Sequence, residues 1–289
     1  VLIPVEWIYV QGGGAVAGLD VRTMRAHAAA GIAEGPIRVA LTHRGRYEID
    51  DGHHRAALAI ADGATALECE VVRVSPSWAR LVEDLRGLYD GREFLYQPIE
   101  HPAFAGWRVD RSAERLALVR AAAEAAGVGP GDGPCLDIGS CTGAFCRSFC
   151  RDGWTAFGVD RDPDVVRVAE HLDLVFGTDC HYRIGDDPEP LLGAGPGWSV
   201  VTCLSVFHRP LAAGDVARVG ALYRRIMGRA RVAFLDSASP DDASVRSSAI
   251  SWGRDPFGAW LRSIAPPGVS VEPIGETEGR WIFRCLRTR

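Results

Sequence analysis

The chain contains no lysine; arginine supplies all 32 of its lysine-plus-arginine total. That absence excludes a Walker-type lysine, a Schiff-base lysine and a pyridoxal-phosphate site, so any grip on phosphate must come from arginine, backbone amides or a helix start. An apolar run of about 18 residues is also missing, as is a charged-then-apolar leader, and a soluble cytoplasmic protein is expected. Nor is there an excess of positive charge: 37 acidic residues leave the net charge at -5. This gives no broad electrostatic reason to expect a nucleic-acid or anionic-membrane partner. A helix-turn-helix segment and an N-P-P-Y-type base-flipping tetrapeptide are lacking too. What is present suits a globular interior: 47% hydrophobic residues in 289, enough for one large domain or two ordinary ones.

The most informative stretch is CLDIGSCTGAFC, from Cys135 to Cys146. It combines a buried strand, an acid and a glycine-rich turn. Asp137, Gly139 and Gly143 form D-x-G-x-x-x-G, and the next short apolar strand, AFGV, ends in a second acid, Asp160. In a doubly wound sheet two such strand ends lie side by side, so a ligand crossing them meets bare glycine backbone and then a carboxylate suited to a ribose diol. The G-x-G-x-x-G spacing of a dinucleotide oxidoreductase is absent. Cys135, Cys141, Cys146 and Cys150 crowd this turn, but C-x5-C-x4-C-x3-C matches neither zinc-pair nor iron-sulfur spacing. The thiols are therefore read as small packing groups, and no metal is expected.

The first 75 residues read as strand, helix, strand, strand, helix, strand. The expected strands are LIPVEWIYV, IRVALTH, YEI and LECEVVRV; the helices are VRTMRAHAAAG and HHRAALAIADG. Asp50, Asp51, Gly52, His53, His54 and Arg55 open the second helix. There, backbone amides, a guanidinium and two imidazoles converge on a spot suited to phosphate. A tight turn capped by Asp with two solvated histidines is the alternative.

Residues 76–130 read as a helical joint, with SWARLVEDLRGLYDG and SAERLALVRAAAEAAG as helices. Tyr96, Gln97, His101 and Trp107 lie in a proline-broken loop between them, where they either line a pocket or simply pack the linker. From 131 to 289 strands and helices alternate regularly. Asp162 and Pro163 start one helix. YRIGDD, WSVVTCLSVFHR and RVAFLD supply strands, and VSVEPI with RWIFRCLR forms a closing hairpin.

This order, with LDIGSCTG, GVD, IGDD and VVTCLSVFHR in register, resembles a class I S-adenosylmethionine-dependent methyltransferase across about residues 112–289. The resemblance implies an α/β fold, Rossmann-like and doubly wound, with a seven-stranded sheet, and S-adenosyl-L-methionine as cofactor. It implies that Asp137, Gly139, Ser140 and Gly143 surround the methionine part. Asp160 would hold the ribose hydroxyls, Arg161 flank the adenine and Asp186 accept from its amino group, with Leu204 or Ser205 facing the methionine backbone. His208, at the end of the expected fourth strand, is either a catalytic base or a strand-end histidine bonded to backbone. Asp236 and Glu276 are further acidic candidates near the same edge.

The first 75 residues are similar to the ParB/sulfiredoxin-type domain, small and α+β, whose members carry an acid-Gly-x-His-Arg or Gly-x-x-Arg segment at a strand-to-helix turn. The resemblance implies a phosphate role for His54 and Arg55, with Asp51 as a metal or base partner. The expected activity is methyl transfer to oxygen or nitrogen of a small molecule in a specialised bacterial pathway. Tyr96, Gln97, Trp107, Asp51, His53, His54 and Arg55 are the expected substrate contacts, and a phosphorylated or nucleotide-like acceptor would explain the DGHHR turn. The N-terminal domain would help bind that substrate or pair two chains into a homodimer. The alternatives are a bifunctional enzyme with a nucleotide-dependent kinase or nucleotidase in front of the methyltransferase, and a nucleic-acid methyltransferase.

Overall fold

The computed structural model describes residues 1–10, 25–26, 35–109, 112–193, 197–239 and 251–288. Most of the expected VRTMRAHAAAG helix lies outside them. The chain forms two compact units. One comprises Val1–Glu93, Ile99–Arg108 and Leu174–Phe176; the other comprises Phe94–Pro98, Val109–Asp173 and Gly177–Arg289. The residues read as a joint are shared between the two, with the helix Pro76–Leu88 in the first and Ser112–Ala125 in the second.

The first unit is built on a five-stranded mixed sheet. Its strands are β1 (Leu2–Pro4), β2 (Ile8–Tyr9), β3 (Ile37–Leu41), β4 (Tyr47–Asp51) and β5 (Ala66–Val74), in the order β1-β5-β3-β4-β2. The expected single strand LIPVEWIYV is two strands at opposite edges. A 3-10 turn, Val5–Trp7, follows Pro4 and divides them. β1 runs antiparallel to β5, while β2 runs parallel to β4. Gly52, at a φ of +91°, turns β4 into the helix His53–Ala61, a conformation that costs a side-chain-bearing residue energy. The Ser75 hydroxyl accepts the Trp78 amide at 3.2 Å and caps the helix Pro76–Leu88. His101 is buried among Trp7, Tyr47, Trp78 and Phe104.

Two short strands, β6 (Phe94–Leu95) and β7 (Arg108–Val109), precede the second unit's sheet. That sheet contains β8 (Cys135–Ile138), β9 (Ala156–Asp160), β10 (His181–Ile184), β11 (Trp198–Cys203), β12 (Ala230–Asp236), β13 (Val269–Thr277) and β14 (Arg280–Arg287). Their order is β10-β9-β8-β11-β12-β14-β13. The first five run parallel, β14 antiparallel to β12, and β13 closes the hairpin. β8 and β11 are buried along their whole length, as central strands covered on both faces must be. Burying an aromatic such as Phe283 or Phe257 in the adjoining core contributes roughly 2–3 kcal/mol each.

Two expectations about this unit need correction. WSVVTCLSVFHR is a strand only to Cys203, because Ser205 takes a φ of +60° and breaks it. His208 consequently opens the short helix His208–Ala212 rather than ending a strand. The helix Arg254–Ile264, whose Phe257, Gly258 and Leu261 are buried, was not anticipated. Among the described residues no helix is long and apolar enough to cross a membrane.

Candidate active site

A crevice of about 550 Å³ opens at the C-terminal tips of β8, β9 and β11, and every residue lining it belongs to the second unit. The volume falls within the range of roughly 300–1,000 Å³ usual for small-molecule sites. Its place, where chain connections leave the central strand in opposite directions, is where open α/β sheets bind ligands. With β8 in the middle, β9 and β10 lead away on one side and β11, β12 and β14 on the other.

The glycine turn forms the floor. Gly139 lines the crevice with a φ of +76°, and a Cβ there would run into the Val206 side chain. Asp160, at the tip of β9, ties this turn down: Oδ2 accepts the Cys141 amide at 2.9 Å and Oδ1 accepts the Asp162 amide at 3.1 Å. The sequence read Asp160 as a ligand contact; in the structure it holds the glycine turn against the neighbouring strand. Arg161 and Asp186 line the same side, and Leu204, Ser205 and His208 the other.

Asp137 is buried at the end of β8. Thr202 donates its hydroxyl to Oδ1 at 2.6 Å, while Oδ2 has no hydrogen-bond partner among the described residues. Burial, with the Asp160 charge adding to it, pushes this carboxyl up to about 7. A small cavity beside it, about 20 Å³, is lined by Tyr96, Gln97, Arg115, Gly139, Phe145 and Leu204 as well as Asp137.

Ser140 and Gly143 are placed differently from the other turn residues. Ser140 is fully buried with its side chain against Gly158, and Gly143, at a φ of +79°, is required by the Tyr182 side chain beside it. Neither residue lines the crevice. Gly143 precedes the helix Ala144–Arg151 without a capping side chain, and Gln97 supplies the cap from a distance. Its Oε1 accepts the Ala144 amide at 3.0 Å and the Thr142 hydroxyl at 3.2 Å. Gln97 thus supports the turn from behind, whereas Tyr96 lines the crevice itself.

Sequence reasoning did not single out Arg115. This residue is 4% exposed and joins four elements. It donates to Thr277 Oγ1 at 3.2 Å, Ser205 Oγ at 2.9 Å, Tyr96 Oη at 3.4 Å and Glu278 Oε2 at 2.6 Å. Asp236 completes the group: it accepts the Ser205 amide at 2.8 Å and the Ser205 hydroxyl at 3.2 Å. Burial raises the Asp236 carboxyl above its ordinary range. These bonds hold Ser205 in the left-handed region, a conformation costing roughly 1–2 kcal/mol for a non-glycine residue. One signal was available in the sequence. Arg115, Val119 and Ala123 recur at four-residue spacing and are all buried, so an arginine stands on the stripe that helical periodicity assigns to the core.

The N-terminal candidates lie in the first unit. Asp51 ends β4, and Arg55 folds back over Gly52 to donate to the Pro36 carbonyl at 3.0 Å and Asp51 Oδ2 at 3.2 Å. The Gly52 amide and then Arg55 hold the Asp51 carboxyl below its usual range. His54 is exposed and His53 half-buried. Trp107 is buried edge-on against Phe104, at 5.1 Å between ring centroids, and the Arg86 guanidinium lies over it. It is not among the residues lining the crevice. His101 Nε2 donates to the Gly45 carbonyl at 2.7 Å while Nδ1 accepts the Ala103 amide at 3.1 Å, which fixes a neutral tautomer.

Of the four cysteines in the glycine-turn region, Cys135 and Cys146 are buried packing groups, whereas Cys141 lines the crevice. Cys150 and Cys180 differ, with half-buried sulfurs 3.1 Å apart. The hydrogen bond from Cys180 draws the Cys150 thiol down to about 7. Among the described residues no group of His, Cys, Asp and Glu side chains is arranged to hold a metal ion.

The sequence matches no protein-family model and no curated protein. The backbone is similar to that of monomeric WbdD, with a TM-score of 0.55 and 21% identity over 70% of this chain and 48% of that one. Another structure, of the bifunctional kinase-methyltransferase WbdD, gives 0.55 and 21% over 70% of this chain and 46% of that one. The chain therefore spans about half the length of the WbdD chains it matches. Magnesium protoporphyrin IX methyltransferase (ChlM) from Synechocystis PCC 6803 overlaps more loosely, with a TM-score of 0.45 and 16% identity over 72% of this chain and 91% of that one. The likeness to WbdD establishes a shared α/β fold.

Proposed function

We propose that this chain is an S-adenosyl-L-methionine-dependent methyltransferase acting on oxygen or nitrogen of a small molecule. The observation carrying the proposal is the glycine turn at Gly139, pinned by Asp160 and backed by a buried Asp137 whose Oδ2 has no hydrogen-bond partner among the described residues. An unpaired acceptor beside a glycine floor fits a polar, cationic ligand group, because leaving it unmatched is costly. Support comes also from the sheet order, the motif order along the chain and the fold shared with a kinase-methyltransferase.

In this reading Asp160 meets the ribose, Arg161 and Asp186 border the adenine, and Leu204 and Ser205 border the methionine. The bound donor supplies an electrophilic methyl group on a cationic sulfur. Charge is dispersed as it transfers, so alignment counts for more than an oxyanion hole. Ser205, held by Asp236 and Arg115, keeps the β11 tip rigid; His208 is available to take a proton from a neutral acceptor.

The first unit is read as ParB-like, contributing substrate binding or dimerisation in a specialised bacterial pathway. Arg55 already serves Asp51 and Pro36, which favours a binding or pairing role over the alternative of nucleotide turnover. Calorimetric titration with the methyl donor and its demethylated product tests the proposal. Micromolar binding that Asp160→Ala weakens at least about tenfold is expected, since that residue serves both ribose and turn. Failure of the wild-type chain to bind either compound overturns it.

A further inference from the structure

The crevice is divided by charge. On the side of β9 and β10, acids line it at Asp160 and Asp186. On the side of β11 and β14 the charged lining residues are arginines: Arg209 in the short helix after β11, Arg218 in the helix Val216–Arg229, and Arg280 at the start of β14. Arg161 stands on the acidic side, beside Asp160.

The acids near the arginine wall are engaged. Asp236 lies buried beneath it, bonded to Ser205. Asp215 holds Arg218 through its Nε alone, and Glu278 is taken by Arg115. Arg209 and Arg218 both line the crevice and are exposed, and the Asp215 bond engages Arg218 at Nε, not at its outer nitrogens. Guanidinium groups present paired donors matching the oxygens of carboxylate or phosphate.

We propose that Arg209 and Arg218, on the crevice wall that Arg280 also lines, form an anion-binding site that takes a carboxylate or phosphate group on the methyl acceptor. The proposal rests on the methyltransferase reading for its word "acceptor"; the anion site itself rests on the arginines. It has a chemical corollary. An already ionised oxygen forms the new bond to the methyl carbon while the carbon–sulfur pair stays on sulfur, and no proton has to move. For such an acceptor His208 positions rather than acts as a base.

The test uses the full chain and an Arg209→Gln/Arg218→Gln variant, both exposed positions that folding should tolerate. Inorganic phosphate and acetate are titrated calorimetrically, each with and without saturating demethylated donor product. The expectation is binding of at least one anion by the wild type, weakened at least about tenfold in the variant through lost charge-assisted hydrogen bonds. Affinity for the donor product should stay within about twofold. Preference for phosphate identifies a phosphoryl acceptor and preference for acetate a carboxylate. No anion binding by the wild type, or equal binding by the variant, overturns the proposal. Anion binding lost in the variant from a chain that never binds the donor product leaves the wall standing and removes the methyltransferase reading.

Discussion

The guanidinium of Arg115 donates to the Glu278 carboxylate at 2.6 Å, joining the helix Ser112–Ala125 to the turn of the closing hairpin. Its other donors reach Tyr96 and Ser205, so one buried arginine connects the hairpin to two crevice-lining residues. Removing it takes away the bond to Glu278 and the bond to the Ser205 hydroxyl, which then keeps its bonds to Asp236. Arg115→Ala should cost roughly 2–3 kcal/mol, the range for losing hydrogen bonds made by a buried charged group. Denaturant unfolding of variant and wild type measures this.

Asp137 gives a pH dependence of opposite sense to the usual carboxylate. Its folded value, about 7, lies above the ordinary 3.8. Between those values the unfolded chain releases a proton that the folded chain keeps, so its contribution to stability falls as pH rises from about 4 to about 7. A shift of about three units corresponds to roughly 4 kcal/mol. Asp137→Asn, which removes the titration, should stabilise the ligand-free chain at pH 7 and have little advantage at pH 4. It should also bind the methyl donor more weakly. Thermal melts across that window, paired with calorimetry, check both.

His101 acts in the contrary direction. Burial, opposed by the Gly45 bond, holds its value down to about 4 against an ordinary 6.5. Neutral His101 thus contributes stability that is complete above about pH 6.5 and is lost as pH falls toward 4. The loss should approach about 3 kcal/mol. His101→Phe, which keeps the aromatic packing, should be less stable than wild type at pH 7 and close much of that gap near pH 4. The difference between the two proteins, followed by urea unfolding, isolates this residue.

Cys150 should be the first thiol of the Cys150 and Cys180 pair to ionise, because the Cys180 hydrogen bond favours its thiolate. Alkylation with iodoacetamide, read by peptide mass mapping, should show a midpoint for Cys150 near pH 7. Cys180→Ala should return it toward the ordinary thiol range. An unchanged profile in that variant would assign the shift to some other cause.

Much of the second unit is legible in the amino-acid sequence. The strands at Cys135–Ile138 and Ala156–Asp160 are short apolar runs ending at glycine and acid, and the Asp162 cap followed by Pro163 marks a helix start by local chemistry alone. Elements were misplaced where the cause was distant. LIPVEWIYV reads as one strand by hydrophobicity, yet its halves pair with β5 and β4 at opposite edges of a sheet. LSVFHR reads as strand, yet Asp236, from another strand, holds Ser205 out of extended geometry. Gln97 was read as a pocket or linker residue; its capping of a helix 47 positions away carries no sequence signal.

The sequence alone determined the class of this protein: an α/β chain without lysine, with a glycine turn between two acids at strand tips. Those are properties of neighbouring residues, set by apolar runs, glycine conformation and the alternation of strand and helix. Only the tertiary structure decided which acid pins the turn, which is buried with an unmatched oxygen, that Arg115 ties the hairpin to the crevice, and that arginines face acids across it. Those facts depend on groups far apart in the chain meeting in a medium of low polarity, where a single hydrogen bond or charge changes conformation and ionisation alike.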